Sequence, residues 1–359
     1  MNSSIVSIGL ANPGSPIDQS TIADFMQVAH QLDENEARKL NFLYKKSGIT
    51  SRHSVLDDFE KRSFLDYSFF PKSEKLEPFP GTKARMELFQ QHAGTLCEAA
   101  VRDCLKDTEV KLKDITHLIL VSCTGMVAPG IELELMQRME MSNTVERYCI
   151  HFMGCYAAFS GLKLADKIVR AEAEAKVLLV SVELCTIHFQ KEYTEDNLLA
   201  NSLFADGAAA ALVVNSAKGL KLKSYLSQVL WKGENDMAWG IGDFGFEMRL
   251  SKYIPSLLDE GIQSLKEVFE KKFNLSTIKN FAIHPGGKQI LQKVQQAFGI
   301  SEDKNRHSLE VLKNFGNMSS ATILFVLQRF LLDDEITGDI LALGFGPGLT
   351  LETLHLEKS

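Results

Sequence analysis

Apolar runs of strand length alternate with amphipathic helical stretches along most of this chain. THLILVSCTG and ERYCIHFMGC each read as a strand ending in a glycine turn, and AAFSGLKLADKIVRAEAEA then places apolar residues at helical spacing. KVLLVSVELC reads as a continuous apolar run, which suits a strand covered on both faces. AAAALVVNS, KNFAIHP and GDILALGFG repeat that type, separated by helices such as KQILQKVQQAFG and SSATILFVLQRFLLDD. The alternation predicts an α/β fold of layered sheets and helices. With 359 residues the chain is long for one core and comfortable for two units that share an interface. A change of composition at NSAKGLKL places the boundary between them, giving residues 1–216 and 217–359. Residues 56–82 break the pattern with aromatics, prolines and mixed charge, and predict a long ordered surface loop.

Several function classes fall away early. A net charge of −7 opposes non-specific nucleic-acid binding, although it leaves room for a local basic patch. No apolar run reaches the length needed to span a bilayer, and MNSSIVSIGLANPG has neither the basic start nor the long apolar block of a secretory signal. The 6 cysteines include no CxxC pair, so zinc is not expected and the thiols are expected to be reduced, in a cytoplasm. GIGDFG (240–245) matches G-x-G-x-x-G literally, but WKGENDMAW before it is no hydrophobic strand. A turn-rich loop is the expected form of that segment.

The chemistry concentrates at three turns. Cys155, in HFMGCYAAFSG, follows a strand and opens a helix, where free N–H groups and a partial positive charge favour thiolate. His284, in NFAIHPGGKQIL, ends a strand before a glycine turn that lets a ligand approach beside the imidazole. Asn317, in NFGNMSSATILF, sits at a third such turn, where a simple N-cap is the plainer account. Strand-to-helix turns are where α/β sheets place their sites. Together the three suit thioester chemistry. Cys155 would carry an acyl group, activated by pairing with His284, while the His284 ring and the Asn317 amide hold an enolate oxygen.

In this order and spacing, GCYAA, HPGG, GNMSSAT and the near-terminal GFGPGLTLE (344–352) resemble the type III polyketide synthases. These are the chalcone-synthase-like branch of the thiolase-fold enzymes, and the resemblance covers essentially the whole chain. It implies a homodimer of five-layered αβαβα subunits, each built from two similar halves. It implies an acyltransferase that loads an acyl group from acyl-CoA onto Cys155, decarboxylates malonyl-CoA, condenses the two, repeats, and cyclises the product. No acyl carrier protein, metal or redox cofactor is implied, and His284 and Asn317 would assist decarboxylation. Phe204 is the expected gatekeeper between CoA tunnel and cavity. Met248 falls where plant relatives have a second gatekeeper phenylalanine, with Phe246 as the alternative.

The same resemblance implies contacts along the substrate. Lys39 and Lys46, with Lys45 and Arg52 nearby, would meet the CoA phosphates, and Phe42 stands where the family has an arginine. Gly286 and Gly287 would lie against the pantetheine arm, Ser319 beside the growing chain, and Gly346 and Pro347 against substrate. SCTGMVAPG and VELCTIHFQ look like bacterial members and put Thr124, Cys185, Thr186 and His188 near the cavity wall. A fatty acyl starter and a pyrone or resorcinol product are favoured over a phloroglucinol type. Two rivals share the three residues: a ketoacyl synthase III-like enzyme performing one condensation, and a non-catalytic acyl-CoA-binding protein on the same fold.

Overall fold

The structure, a computed structural model, describes residues 2–231, 234, 236–250, 268–273, 275 and 278–358. Up to Asn215 the strands are β1 (Ser3–Ala11), β2 (Ile17–Asp18), β3 (Ser51–Arg52), β4 (His117–Ser122), β5 (Glu146–His151), β6 (Lys176–Leu184) and β7 (Asp206–Asn215). Beyond it come β8 (Leu220–Val229), β9 (Met237–Gly242), β10 (Gly245–Leu250), β11 (Asn280–Ile283), β12 (Gly338–Gly346) and β13 (Thr350–Lys358). The helices used below are α1 (Gln19–Ala29), α2 (Glu34–Lys46), α3 (Thr82–Leu105), α4 (Ile131–Arg138), α5 (Ala157–Ala171), α6 (Glu195–Leu203), α7 (Lys288–Phe298), α8 (Arg306–Phe315) and α9 (Thr322–Leu332).

Nine strands join in the order β11-β12-β13-β8-β1-β7-β6-β4-β5. The order contains one pattern twice. β1 pairs antiparallel with β7, β7 antiparallel with β6, and β6 parallel with β4. Correspondingly, β8 pairs antiparallel with β13, β13 antiparallel with β12, and β12 parallel with β11. The two copies of the pattern join at β1 and β8 through the short register Ser4–Lys221 and Ile5–Leu220, so the strands behave as two sheets linked at one seam.

The layers follow from which side chains face which way. Alternate residues of β6 (Val177, Leu179) and β12 (Ile340, Ala342) pack with Phe159, Leu162 and Val169 of α5 and with Leu324, Phe325 and Leu327 of α9. Their neighbours face outward, Leu178 and Val180 toward α3 and α4, and Leu341 and Leu343 toward α7. The result is a five-layered αβαβα stack with α5 and α9 at its centre. Strands covered on both faces explain the unbroken apolar runs. A helix in the central layer is likewise buried all round over its first turns, as TILFVL is.

Residues 56–80 are held as a compact cap. Phe59, Tyr67, Phe70 and Phe79 pack with Phe25 of α1, Tyr44 of α2 and Phe189. The buried Asp58 carboxylate ties the cap together, accepting from the backbone N–H of Ser68 (2.6 Å), Phe69 (3.0 Å) and Phe70 (2.7 Å).

GIGDFG departs from its expected form. It lies in a hairpin, with Gly242 opposite Gly245 and Trp239 opposite Met248 across β9 and β10. The strand was hidden because MAWGIG carries little apolar signal of its own and is completed by pairing. FEMRL beside it does alternate, Phe246 buried and Glu247 exposed.

Candidate active site

After β5 the chain turns sharply through Phe152 (φ 58°) and Gly154 (φ 81°) before α5 begins. A Cβ on Gly154 would lie 2.1 Å from Pro347 Cδ, and one on Gly346 would lie 2.6 Å from Tyr156 Cδ1. The turn carrying Cys155 therefore interlocks with the turn after β12, and only glycine fits on either side. Cys155 sits at this contact, 8% exposed. Burial pushes its thiol up to about 11; the Glu183 charge adds to the rise, and the Ser319 and Asn317 side chains oppose it. The expected thiolate is thus not the resting form, because loss of water outweighs the helix start.

His284 follows β11 and is anchored by its backbone N–H to the Leu343 carbonyl (2.7 Å). Its ring is buried, yet neither Nδ1 nor Nε2 has a hydrogen-bond partner. Burial alone lowers its pKa to about 3, so the imidazole is neutral. It makes no hydrogen bond to Cys155, so the expected activating pair is not formed. Asn317 is fixed rather than capping a helix. Its amide N–H donates to the Gly286 carbonyl (3.2 Å), and its Oδ1 accepts from the Ser319 N–H (2.9 Å). One amide N–H remains for a ligand.

These side chains share one cavity of about 440 Å³, with Cys155, His284, Asn317, Phe204, Met248 and Pro347 on its wall. Gly286, Gly287, Lys46 and Lys288 line it too. Lys39 and Gly346 do not line it: Lys39 is exposed on α2, and Gly346 supports the Cys155 turn from behind. Arg52, expected near the CoA phosphates, is instead fully buried. Its guanidinium donates to Gln19 Oε1 (2.8 Å) and to the Asn201 (2.9 Å) and Phe204 (2.5 Å) carbonyls.

Phe204 and Met248 separate the cavity from a smaller chamber of about 30 Å³ lined by Cys185, Thr186, His188, Trp239 and Phe246. Of the two candidate second gatekeepers, Met248 borders both spaces, while Phe246 lies in the inner wall stacked on His188 with centroids 4.1 Å apart. His188 Nε2–H donates to the Thr124 carbonyl (2.7 Å) and its Nδ1 accepts from the Phe246 N–H (2.9 Å). Thr124 and Ser319 border a third, minute void beside Cys155 and Trp239.

Three residues escaped the sequence reasoning. Glu183 is fully buried behind Cys155, accepting from the Cys123 N–H (2.9 Å), the Thr124 hydroxyl (2.8 Å) and the Ser320 hydroxyl. Burial raises its carboxyl pKa. The available signal was a lone acid inside an apolar strand, which demands buried partners. Trp239 was hidden by the misread hairpin; its indole N–H donates to the Cys123 carbonyl (2.7 Å). Lys288, the residue after the glycine pair, adds a cation to the cavity rim.

A thiol, a neutral imidazole with both nitrogens free and a half-free amide converge on one apolar pocket. Such a set can accept an acyl group on sulfur and hold a thioester oxygen as charge grows on it.

Comparison with known proteins agrees over the whole length. The family model described as chalcone and stilbene synthases, N-terminal domain, matches residues 2–217, and its C-terminal counterpart matches residues 221–358. The chain is 28% identical over 371 residues to probable polyketide synthase 1 of Dictyostelium discoideum; this match takes in 99% of the chain but spans only 11% of that protein. It is 30% identical over 362 residues to the alpha-pyrone synthesis polyketide synthase-like Pks18 of Mycobacterium tuberculosis, covering 97% of this chain and 89% of that one. Among solved structures, the C-terminal type III polyketide synthase domain of Steely1, a type I/III hybrid from Dictyostelium, superposes with a TM-score of 0.92 at 27% identity. That superposition covers 100% of this chain and 99% of the domain.

Proposed function

This chain belongs to the chalcone and stilbene synthase family, the type III polyketide synthases, and from that premise we propose that it extends an acyl-CoA starter on Cys155 with malonyl-CoA. The Cys155 thiol gives its proton to His284 as sulfur attacks the starter thioester, and CoA leaves with that proton. Malonyl-CoA then enters the emptied tunnel. Its carboxylate departs as carbon dioxide, and the bonding pair left behind becomes an enolate whose oxygen accepts from His284 and Asn317. The enolate carbon attacks the Cys155 thioester and frees the thiolate. The carbon–carbon bond takes its electrons from the lost carboxylate bond, so the scheme needs no metal or redox cofactor.

The observation that carries this reading is the unpartnered His284 ring facing the same cavity as Cys155 and Asn317. For the starter we favour a fatty acyl group and for the product a pyrone or resorcinol. The apolar cavity wall and the likeness to the mycobacterial alpha-pyrone synthesis polyketide synthase-like relative support that choice. A homodimer is proposed as well. β5 ends the sheet with one neighbour, and its residues from Glu146 to Cys149 are exposed, an open edge suited to a second copy. Among the described residues no helix is long and apolar enough to cross a membrane, and a cytoplasmic site of action is part of the proposal.

Incubation of purified protein with malonyl-CoA and a panel of acyl-CoAs, read by mass spectrometry, tests the scheme. Products carrying several acetate units are expected, and turnover by Cys155→Ala should be lower by about 10⁴-fold or more. A single two-carbon extension would move the assignment to a ketoacyl synthase III-like enzyme. No product and no acylated Cys155 would leave only acyl-CoA binding.

A further inference from the structure

Phe42 is an apolar ring with no place in the core. It is 61% exposed on α2, while Leu40 and Tyr44 on the same helix are buried. Around it the charge runs against the rest of the molecule. Residues 37–50 contain Arg38, Lys39, Lys45 and Lys46 and no acid, within a chain of net charge −7. Cations at a helix C-terminus are explained by the helix dipole; an exposed phenyl ring among them is not.

Its position is specific. Lys46 Nζ lies 4.7 Å above the Phe42 ring centroid, and Lys46 and Leu43 line the cavity that holds Cys155. Lys288 reaches the same rim from α7, its Cδ 3.1 Å from where a Cβ on Gly48 would stand. An aromatic face bordered by cations, at the lip of a tunnel leading to a nucleophile, matches one kind of ligand end: a phosphorylated purine. The ring offers a stacking surface and the lysines offer counter-charges.

We propose that Phe42 is the platform on which the adenine of a CoA thioester stacks, with Lys46, Lys288 and the neighbouring lysines of α2 meeting its phosphates. The proposal rests on the CoA-thioester reading above. Recognition then divides in two: the adenosine end is held by Phe42 outside the cavity, and the pantetheine arm by Gly286 and Gly287 within it. Phe42 is thus a positioning residue and touches no reacting atom.

The test compares wild type with Phe42→Ala and Phe42→Trp in two assays. The first is calorimetric binding of CoA and of adenosine 3′,5′-bisphosphate, which needs no turnover. The second is steady-state kinetics with the same acyl group carried on CoA or on pantetheine, which lacks the nucleotide. Phe42→Ala should weaken binding of both nucleotides, and raise KM for the CoA substrate, on the order of tenfold. Pantetheine substrates should not register the change, and Phe42→Trp should restore the loss. Unchanged CoA affinity in Phe42→Ala overturns the proposal, as does an equal rise in KM for pantetheine substrates. Selective loss of turnover with an acyl carrier protein, CoA kinetics being unaffected, overturns it in favour of a protein-docking role. Nucleotide binding that depends on Phe42 in a protein without condensing activity keeps the platform and removes the reaction assigned above.

Discussion

His188 and His284 are buried to nearly the same degree, 4% and 2% exposed, and burial lowers the pKa of each to about 3. They stand on either side of the Phe204–Met248 partition. Yet His188 has both ring nitrogens engaged by backbone, while His284 has neither engaged. Burial and a depressed pKa therefore do not separate the histidine proposed for catalysis from its neighbour. The difference lies in unsatisfied hydrogen-bonding capacity on the wall of the large cavity, where both His284 nitrogens are open to a partner that enters it.

The sharpest way to break this comparison is to delete each ring. His284→Ala should lower condensation by about 10² to 10³-fold, the loss typical of one preorganised donor, with little change in melting temperature. His188→Ala should instead destabilise the fold by about 2–4 kcal/mol, since it opens a void and strands the Thr124 carbonyl and the Phe246 N–H. Denaturant unfolding of the two variants beside their product yields reads both effects. Equal stability losses would erase the distinction.

A smaller effect comes from pH. In the unfolded chain each imidazole takes up a proton near 6.5, whereas in the folded protein both stay neutral down to about 3. Each contribution to stability is therefore complete above pH 6.5 and is lost as pH falls from there toward 3. The slope is about 1.4 kcal/mol per pH unit for each ring. His284→Gln should reduce the slope of unfolding free energy between pH 6 and 5 by that amount. An NMR titration placing His284 near 6 would show a solvated ring and sink the argument. The least effect is expected at Trp239→Phe, which keeps a ring in the inner chamber wall and loses the hydrogen bond to the Cys123 carbonyl. About 1 kcal/mol should go, with the product profile preserved.

The layers, and the three side chains that meet at the large cavity, were legible in the sequence because they rest on local signals. Apolar runs announce strands covered on both faces, and Cys155 and His284 stand close to glycines where a strand gives way to a helix; Asn317 corrects the expectation, because the chain reaches it from α8 through Gly316 and so turns from helix to helix. What stayed hidden depends on segments distant in sequence. MAWGIG becomes a strand by pairing with FEMRL, and Trp239 reaches the chamber wall only through that hairpin. The state of the thiol was misjudged for a related reason. A helix start is visible at Cys155, but the depth of its burial and the Glu183 carboxylate behind it are tertiary facts. Arg52 was misplaced likewise: next to a run of surface lysines in sequence, it folds inward onto carbonyls of the α6 end.

The interlock of Gly154 with Pro347 has a consequence for the order of synthesis. A chain emerging from a ribosome completes β5, the Cys155 turn and α5 long before Pro347 exists. Until GFGPGLTLE packs against it, the reactive turn lacks one wall, and His284 and Asn317 reach it only from that later-made half. A nascent chain can thus carry the cysteine without carrying the site. On the function proposed above, the groups that would act on the thiol reach it only when the second half has folded against the first.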